Sequence, residues 1–284
     1  MSSVFQLRDV DNRVAGRLAL VTGASGGIGS HTARVLAAEG CDVLLHYSGN
    51  KASADALAQE LSAKYPTQLF AACQADLSNR ESTRTFVARA LSSSTSTEIS
   101  AKHNAVSILV ANAGLGRRIR DVADIEEEDW DEMFEVNARS QFVVVKACLQ
   151  GMRAQGWGRV VLVGSIASKG GGLNGCHYAA TKGALSSMGL NLATLLAAEG
   201  VTVNIVSPAM IGYTGMIPTP KSKSWSPEQC DIETLRKEDP GLAIASSIPV
   251  ARLGTPDEVA NVVLLFVKSG YMTGQDVQVV GGLR

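Results

Sequence analysis

Arg17–Gly29, RLALVTGASGGIG, is the stretch from which the fold is read. Arg17 to Thr22 is a short apolar run of β type that ends at the octet TGASGGIG, Thr22–Gly29. Ile28, Ala33, Val35, Leu36 and Ala37 then follow a helical pattern that stops at Gly40, placed as a C′ glycine. Gly23 permits the tight turn. Gly27 and Gly29 let backbone approach a pyrophosphate, whose charge the helix N-terminus favours. A lone octet of this kind is also an ordinary β–α connection. Its position at the first βα turn of the chain favours the phosphate cradle.

Working outward, the strand–helix rhythm continues. Cys41–His46 reads as a second strand, Ala52–Lys64 as a second helix, and Leu69–Ala75 as a third strand ending in Asp76-Leu77. Ser82–Leu91 is a helix, and the polar Ser92–Asn104 is expected to be a surface loop. The strand Val106–Ala111 closes on Asn112-Ala113-Gly114, and one long helix is expected from about Glu127 to Gln155. Strands at Arg159–Val163, Val201–Val206 and Asp276–Val280 complete a set of seven, with a helix bearing Tyr178 between the first two. Thr255 and Pro256 read as N-cap and N1 of a last helix. Alternation of this kind implies a doubly wound parallel sheet with helices on both faces, an α/β class. Residues 1–15 read as a polar leader, and 1–284 as a single domain. Residues 209–249 hold five of the eight prolines and are expected to form a substrate-side lid.

Composition narrows the function classes. A net charge of −1 gives no electrostatic case for nucleic acid or an anionic membrane surface. No apolar run approaches the roughly 18 residues of a membrane span, and MSSVFQLRDVDNR lacks the apolar region of a signal peptide. Cys41, Cys73, Cys148, Cys176 and Cys230 lack CxxC spacing, which fits reduced thiols in a cytoplasmic protein. His31, His46 and His103 form no ligand cluster, so no metal is expected, and His177 is assigned a structural role.

The chemistry-bearing stretch is Gly164–Gly183, GSIASKGGGLNGCHYAATKG. Tyr178 and Lys182 stand at i and i+4, on one helix face. A phenol with a pKa of about 10 is a poor proton source at neutral pH, and a neighbouring ammonium is expected to bring it down. Ser165, at the end of an apolar strand, can hydrogen-bond the oxygen that Tyr178 protonates. Such a trio can donate a proton to a carbonyl while hydride arrives from elsewhere. Singly, each residue also reads as ordinary: a turn serine, a surface Tyr–Lys pair.

With Thr22–Gly29, Asp76-Leu77, Asn112-Ala113-Gly114, Asn137, Ser165 and Tyr178-xxx-Lys182 in this order, the chain resembles the short-chain dehydrogenase/reductase family. The resemblance runs from about Gly16 to Gly282. The closing TGQDVQVVGG, Thr273–Gly282, looks most like the 3-oxoacyl-[acyl-carrier-protein] reductase branch. It implies a Rossmann-type fold and a catalytic set of Asn137, Ser165, Tyr178 and Lys182. Tyr178 would be the general acid, Ser165 the carbonyl-orienting group, and Lys182 the residue that tunes Tyr178 and binds the nicotinamide ribose. Asn137 would kink its helix and hold a water that relays protons to Lys182. Implied cofactor contacts are Gly23, Ser25, Gly27, Ile28 and Gly29 in the loop, then Tyr47, Ser48 and Asn50 after the second strand. Asp76, Leu77, Asn112, Ala113, Gly114, Tyr178, Lys182, Pro208, Ala209, Ile211 and Thr214 complete that set. The implied assembly is a homotetramer or homodimer, paired through helices around Gln141–Met152 and Leu185–Leu196.

A carboxylate at the end of the second strand would bind a ribose 2′-hydroxyl and repel a 2′-phosphate. Here LLHYSGNK, Leu44–Lys51, has none, and Ser48, Asn50 and Lys51 can receive a phosphate. NADP(H) is therefore the expected cofactor, against which stands Gly26 where many NADP-dependent relatives carry Arg. Pro208-Ala209 stands where the family usually has Pro-Gly, and the carboxamide-binding threonine aligns with either Tyr213 or Thr214. Leu115, Leu173, Cys176, Met210, Tyr213, Met216, Ile217 and Trp225 are candidate pocket residues. They suit a hydrophobic ketone or its alcohol. Arg117, Arg118 and Arg120 cluster at the rim, where they could meet an acyl-carrier-protein or coenzyme A phosphate; the plainer reading is a solvated loop. The expected reaction is NADPH-dependent reduction of a 3-oxoacyl, polyketide-like or other hydrophobic ketone to a secondary alcohol. An NAD-dependent secondary alcohol dehydrogenase and a cofactor-dependent cyclisation are the alternatives.

Overall fold

A computed structural model describes residues 7–119, 121–170 and 173–283. The strands are β1 (Leu18–Val21), β2 (Asp42–Tyr47), β3 (Phe70–Gln74), β4 (Ile108–Ala111), β5 (Gly158–Val163), β6 (Val201–Pro208) and β7 (Asp276–Val279). They form one parallel sheet in the order β3-β2-β1-β4-β5-β6-β7. In register, Val21 stands beside Leu45 on one side and Val110 on the other. Chain order reverses between β1 and β4, and the first crossover unit begins at the glycine octet. A topological switch point of this kind opens a crevice at the carboxyl ends of the strands.

The helices are α1 (Gly27–Ala38), α2 (Lys51–Lys64), α3 (Arg80–Ala90), α4 (Thr97–Lys102), α5 (Glu127–Phe134), α6 (Ser140–Gln155), α7 (Cys176–Leu196), α8 (Ile232–Glu238), α9 (Pro240–Ser246) and α10 (Pro256–Lys268). Successive strand residues point to opposite faces, so each strand serves two cores. Leu20, Leu44, Leu109 and Val160 face Phe86, Val144 and Leu185 of α3, α6 and α7. Ala19, Val21, Val43 and Leu45 face Leu36, Leu57 and Phe266 of α1, α2 and α10. β1, β2, β4, β5 and β6 are buried along their whole length, as near-continuous apolar runs in a covered parallel sheet should be.

Three expectations are corrected. The segment 92–104 is not simply a loop: Ser96 caps α4 by accepting from the Ile99 amide, and Ile99 is buried. His103 and Lys102 both close on the buried carboxylate of Asp42, at 2.6 and 2.7 Å. Low-complexity composition hid the one apolar anchor and the one cap. The long helix is interrupted, because a π turn at Glu135–Arg139 separates α5 from α6. The leader is docked over residues 7–15. Val14 is buried, and the Asp11 carbonyl accepts from Trp157 Nε1 at 2.9 Å and Arg159 at 3.1 Å.

Candidate active site

A cleft of about 960 Å³ opens at the carboxyl ends of β1, β4, β5 and β6. Its first wall is the glycine octet. Gly23 adopts φ +66, and a Cβ there would meet Asn112 Nδ2 at 3.0 Å. α1 has Gly26 at its N-cap and so no side-chain cap, whereas Asn50 and Asn79 cap α2 and α3. Its first-turn amides are thus left for an anion at the cleft. A Cβ on Gly27 would lie 2.5 Å from the Tyr213 carbonyl oxygen, so only glycine fits between α1 and the segment after β6. Together the uncapped amides and the glycine-only cradle fit a dinucleotide's pyrophosphate.

The octet is held from beneath by residues whose roles are not written in it. His46 Nδ1 accepts from the Gly23 amide at 2.9 Å while Nε2 donates to the Ala75 carbonyl at 3.0 Å. Burial pushes the His46 pKa down to about 4, with the Ala75 hydrogen bond opposing, so the ring is neutral and its tautomer set. Thr22 Oγ1 accepts from the amides of Asn112 and Ala113, both at 2.9 Å. Asn112 Nδ2 returns a bond to the Thr22 carbonyl at 2.8 Å. The motif after β4 is therefore a staple between the two strands that flank the switch point. A histidine ending an apolar strand was the available signal for His46.

Across the cleft stand Ser165, Tyr178 and Lys182, with Val163 and Gly164. Tyr178 is 7% exposed and Lys182 is 5% exposed. Lys182 Nζ donates to the Val163 carbonyl at 2.9 Å and lies 5.7 Å from the centroid of the Tyr178 ring. Burial pushes Lys182 down to about 8. Burial also pushes Tyr178 up, and a hydrogen bond with Ser165 pulls it part of the way back. The expected lowering of the phenol by Lys182 is thus corrected for the chain alone. Desolvation exceeds the local attraction, and the ammonium is turned toward Val163 rather than the phenol oxygen.

Asn137 sits in the π turn, fully buried and behind the cleft wall. Its Oδ1 accepts from the Leu115 amide at 2.7 Å, and its Nδ2 donates to the Leu115 carbonyl at 2.8 Å and Thr181 Oγ1 at 3.3 Å. A Cβ on Gly114 would lie 3.3 Å from Asn137 Oδ1 and 3.6 Å from Lys182 Nζ. Gly114 therefore packs within van der Waals reach of both side chains.

Of the remaining expected contacts, Gly23, Ser25, Gly27, Ile28, Ser48, Asn50, Asp76, Leu77, Asn112, Ala113, Gly114, Pro208, Ala209, Ile211 and Thr214 line this cleft. Gly29 and Tyr47 stand elsewhere. A Cβ on Gly29 would lie 2.2 Å from the Gly23 carbonyl, so this glycine serves the close packing of α1 on the octet, and Tyr47 is buried in the sheet. Lys51 is paired with Asp55 at 2.5 Å and does not line the cleft. Tyr213 is 70% exposed at φ +58, and Thr214 takes the cleft position, its hydroxyl donating to the Ile211 carbonyl at 2.9 Å. At the other end Leu115, Leu173, Met210, Met216 and Ile217 line the wall, whereas Cys176 and Trp225 do not. Arg118, placed at the rim by the sequence, lines the cleft; Glu132 and Asn174 were not among the expected lining residues and are there. His177 is buried, which holds its pKa down, and neither ring nitrogen has a partner among the described residues. Arg120 lies outside the described residues.

The comparisons with known proteins agree with this geometry. Residues 17–224 match the family described as short chain dehydrogenase, and the chain belongs to that family. The chain is 32% identical to nodulation protein G of Azospirillum brasilense over 94% of its own length and 98% of the relative's. It is also 32% identical to a 3-oxoacyl-[acyl-carrier-protein] reductase of Synechocystis over 94% of its length and 96% of that protein's. Among solved structures, a blue fluorescent protein from a metagenomic library, in complex with NADPH, superposes with a TM-score of 0.78 at 30% identity. The match covers 95% of this chain and 98% of that one.

Proposed function

We propose that this chain is an NADP(H)-dependent reductase that converts a ketone to a secondary alcohol. The observation that carries the reading is the shared cleft: uncapped amides of α1 at one end, and Tyr178, Ser165 and Lys182 on the facing wall. The cofactor, when bound, supplies the hydride. Ser25, Gly27 and Ile28 would hold its phosphates, and Ser48, Gly49 and Asn50, with no carboxylate among them, would accept a 2′-phosphate. The solved relative in complex with NADPH supports that choice over NAD(H).

Ser165 Oγ and Tyr178 Oη would both hydrogen-bond the substrate carbonyl oxygen. Tyr178 passes its proton to that oxygen as negative charge develops there. Its raised pKa keeps the phenol protonated until the carbonyl becomes basic. Lys182, still an ammonium below about pH 8, lowers the cost of the phenolate left behind. Asn137 positions the Leu115 wall through both polar atoms of its side chain. Residues 209–249 would act as the substrate lid of a one-domain enzyme. Exposed Phe142 on α6 and Leu190 and Leu195 on α7 suit pairing between copies in a homo-oligomer. Among the described residues, no helix is long and apolar enough to cross a membrane.

Tyr178→Phe tests the reading. NADPH consumption with ketones should fall at least about 100-fold, the usual worth of a positioned general acid, while NADPH still binds. Undiminished turnover in the variant would remove Tyr178 from the chemistry.

A further inference from the structure

His46 is buried at the floor of the cleft, and the proposed mechanism gives it no step. It stands near the carboxyl end of β2, between β1 and β3 in the sheet. Neighbouring strands lie about 4.8 Å apart, so the turns after β1 and β3 are separated by about twice that. A side chain on the middle strand can reach both. The turn after β1 is the glycine octet, and the turn after β3 carries Asp76 and Leu77, which also line the cleft. The imidazole holds one turn with each nitrogen, the Gly23 amide at Nδ1 and the Ala75 carbonyl at Nε2. Phe86 of α3 packs on the ring, with centroids 4.8 Å apart and planes tilted by 58°.

Residue 46 thereby takes up two consecutive amides of the octet. Its carbonyl accepts from the Ala24 amide at 2.8 Å, next to the Gly23 bond to its ring. The Gly26 amide turns inward to the Gly23 carbonyl at 3.1 Å. Among the described residues, no acceptor takes the amides of Ser25, Gly27 or Ile28, which are left for the cleft. On the other side, Gln74 Nε2 donates to the Ser48 carbonyl at 3.3 Å. The segment proposed above for the 2′-phosphate is thus tied to the end of β3, beside Asp76 and Leu77. Each half has its own supports: Thr22 Oγ1 holds Asn112 and Ala113 against the octet, and Ser82 Oγ accepts from the Asp76 amide at 2.9 Å. The His46 ring is what joins them.

We propose that His46 is a positioning residue that fixes the distance between the phosphate cradle and the adenosine side of the cleft. It then governs affinity for a whole dinucleotide and not for the adenosine half alone. This rests on the dinucleotide reading of the cleft. Without the ring, each half keeps its own supports, and a ligand that bridges the two has to restore their spacing.

The test titrates the full-length protein with NADPH and with adenosine 2′-monophosphate, in wild type, His46→Asn, His46→Gln and His46→Leu. Asparagine keeps an acceptor near the Nδ1 position and is too short to reach Ala75. Glutamine keeps a donor near the Nε2 position and loses the acceptor for Gly23. Leucine keeps neither. His46→Leu should weaken NADPH binding about tenfold or more, the usual cost of a buried donor left without an acceptor, and each single-bond variant about threefold or more. Binding of adenosine 2′-monophosphate should change by less than about twofold in all three, below the worth of one hydrogen bond. In turnover, KM for NADPH should rise by more than kcat falls. If His46→Leu does not fold, the other two variants decide by the same comparison. Unchanged NADPH affinity in either single-bond variant, or parallel losses for both ligands, would overturn the proposal and leave the dinucleotide reading standing. A wild type that binds neither ligand would overturn both.

Discussion

At the scale of single residues, burial sets the chemistry. Lys182 and Tyr178 are both taken out of water, and each shifts toward its neutral form, the lysine down to about 8 and the phenol upward. A lysine whose folded pKa lies below its unfolded value of 10.5 penalises the native state. The unfolded chain binds the extra proton between those two values, so the penalty is full below about pH 8 and fades as pH rises toward 10.5. The shift is worth at most about 3 kcal/mol. Lys182→Met should therefore abolish ketone reduction while its stability relative to wild type is greatest at neutral pH. Urea unfolding from neutral to alkaline pH should see that relative advantage shrink by up to about 3 kcal/mol. A gap that does not change with pH would mean that Lys182 is not desolvated.

At the scale of elements, the ends of helices separate structural from functional termini. α10 opens with a complete capping box: Thr255 and Glu258 satisfy each other's backbone amides, and Arg252 grips Glu258 at 2.7 and 2.9 Å. That grip, aided by the Thr255 amide, pulls the Glu258 pKa down to about 2. Thr255→Ala should cost about 1 kcal/mol, read as a lower denaturant midpoint with an unchanged slope. No loss of stability would show that the box is redundant with the apolar face of α10. α1, by contrast, has no side-chain cap, and its open end is where the cofactor's charge belongs. The π turn shows a third use of a terminus. By adding a residue to the turn between α5 and α6, it brings Asn137 to face Leu115 and Thr181.

At the scale of the whole molecule, the two ends of the sheet have different duties. The carboxyl ends carry the cleft. At the amino ends, the guanidinium groups of Arg17 and Arg159 lie over the Trp157 ring, 3.6 and 4.1 Å from its centroid. Asp11 and Asn12 close the arrangement: the Asp11 carbonyl serves Trp157 and Arg159, and Asn12 Oδ1 accepts from the Gly270 amide at 2.8 Å. Arg159 is only 3% exposed, and burial pushes its pKa down to about 10. Deleting residues 1–12 strips these three hydrogen bonds together with the Arg17–Asp11 ion pair and the Arg8 bond to the Ala198 carbonyl, and leaves a buried cation short of an acceptor. At about 1 kcal/mol per bond, the thermal midpoint should fall by roughly 5–10 °C. Cofactor affinity should be unchanged, because the cleft lies at the other end of the strands. A loss of cofactor binding without a loss of stability would contradict this division.

The order of elements was legible in the chain because each depends on neighbours in sequence. Apolar runs made strands, Thr255-Pro256 opened a helix, and the glycine octet fell where a strand turns into α1. Tyr178 and Lys182 were legible for the same reason, since a helix alone brings residues four apart together. What required the tertiary structure is every contact across the sheet: His46 under Gly23, Thr22 stapled to Asn112, and Asn137 against Leu115. It also separated Arg117, neutralised by Asp129 and Glu132, from Arg118, which among the described residues bonds only the neutral Met216 carbonyl. Sequence spacing sets what lies within one helical turn, but desolvation and charge pairing depend on which distant segments pack together. Only the packed chain decides those.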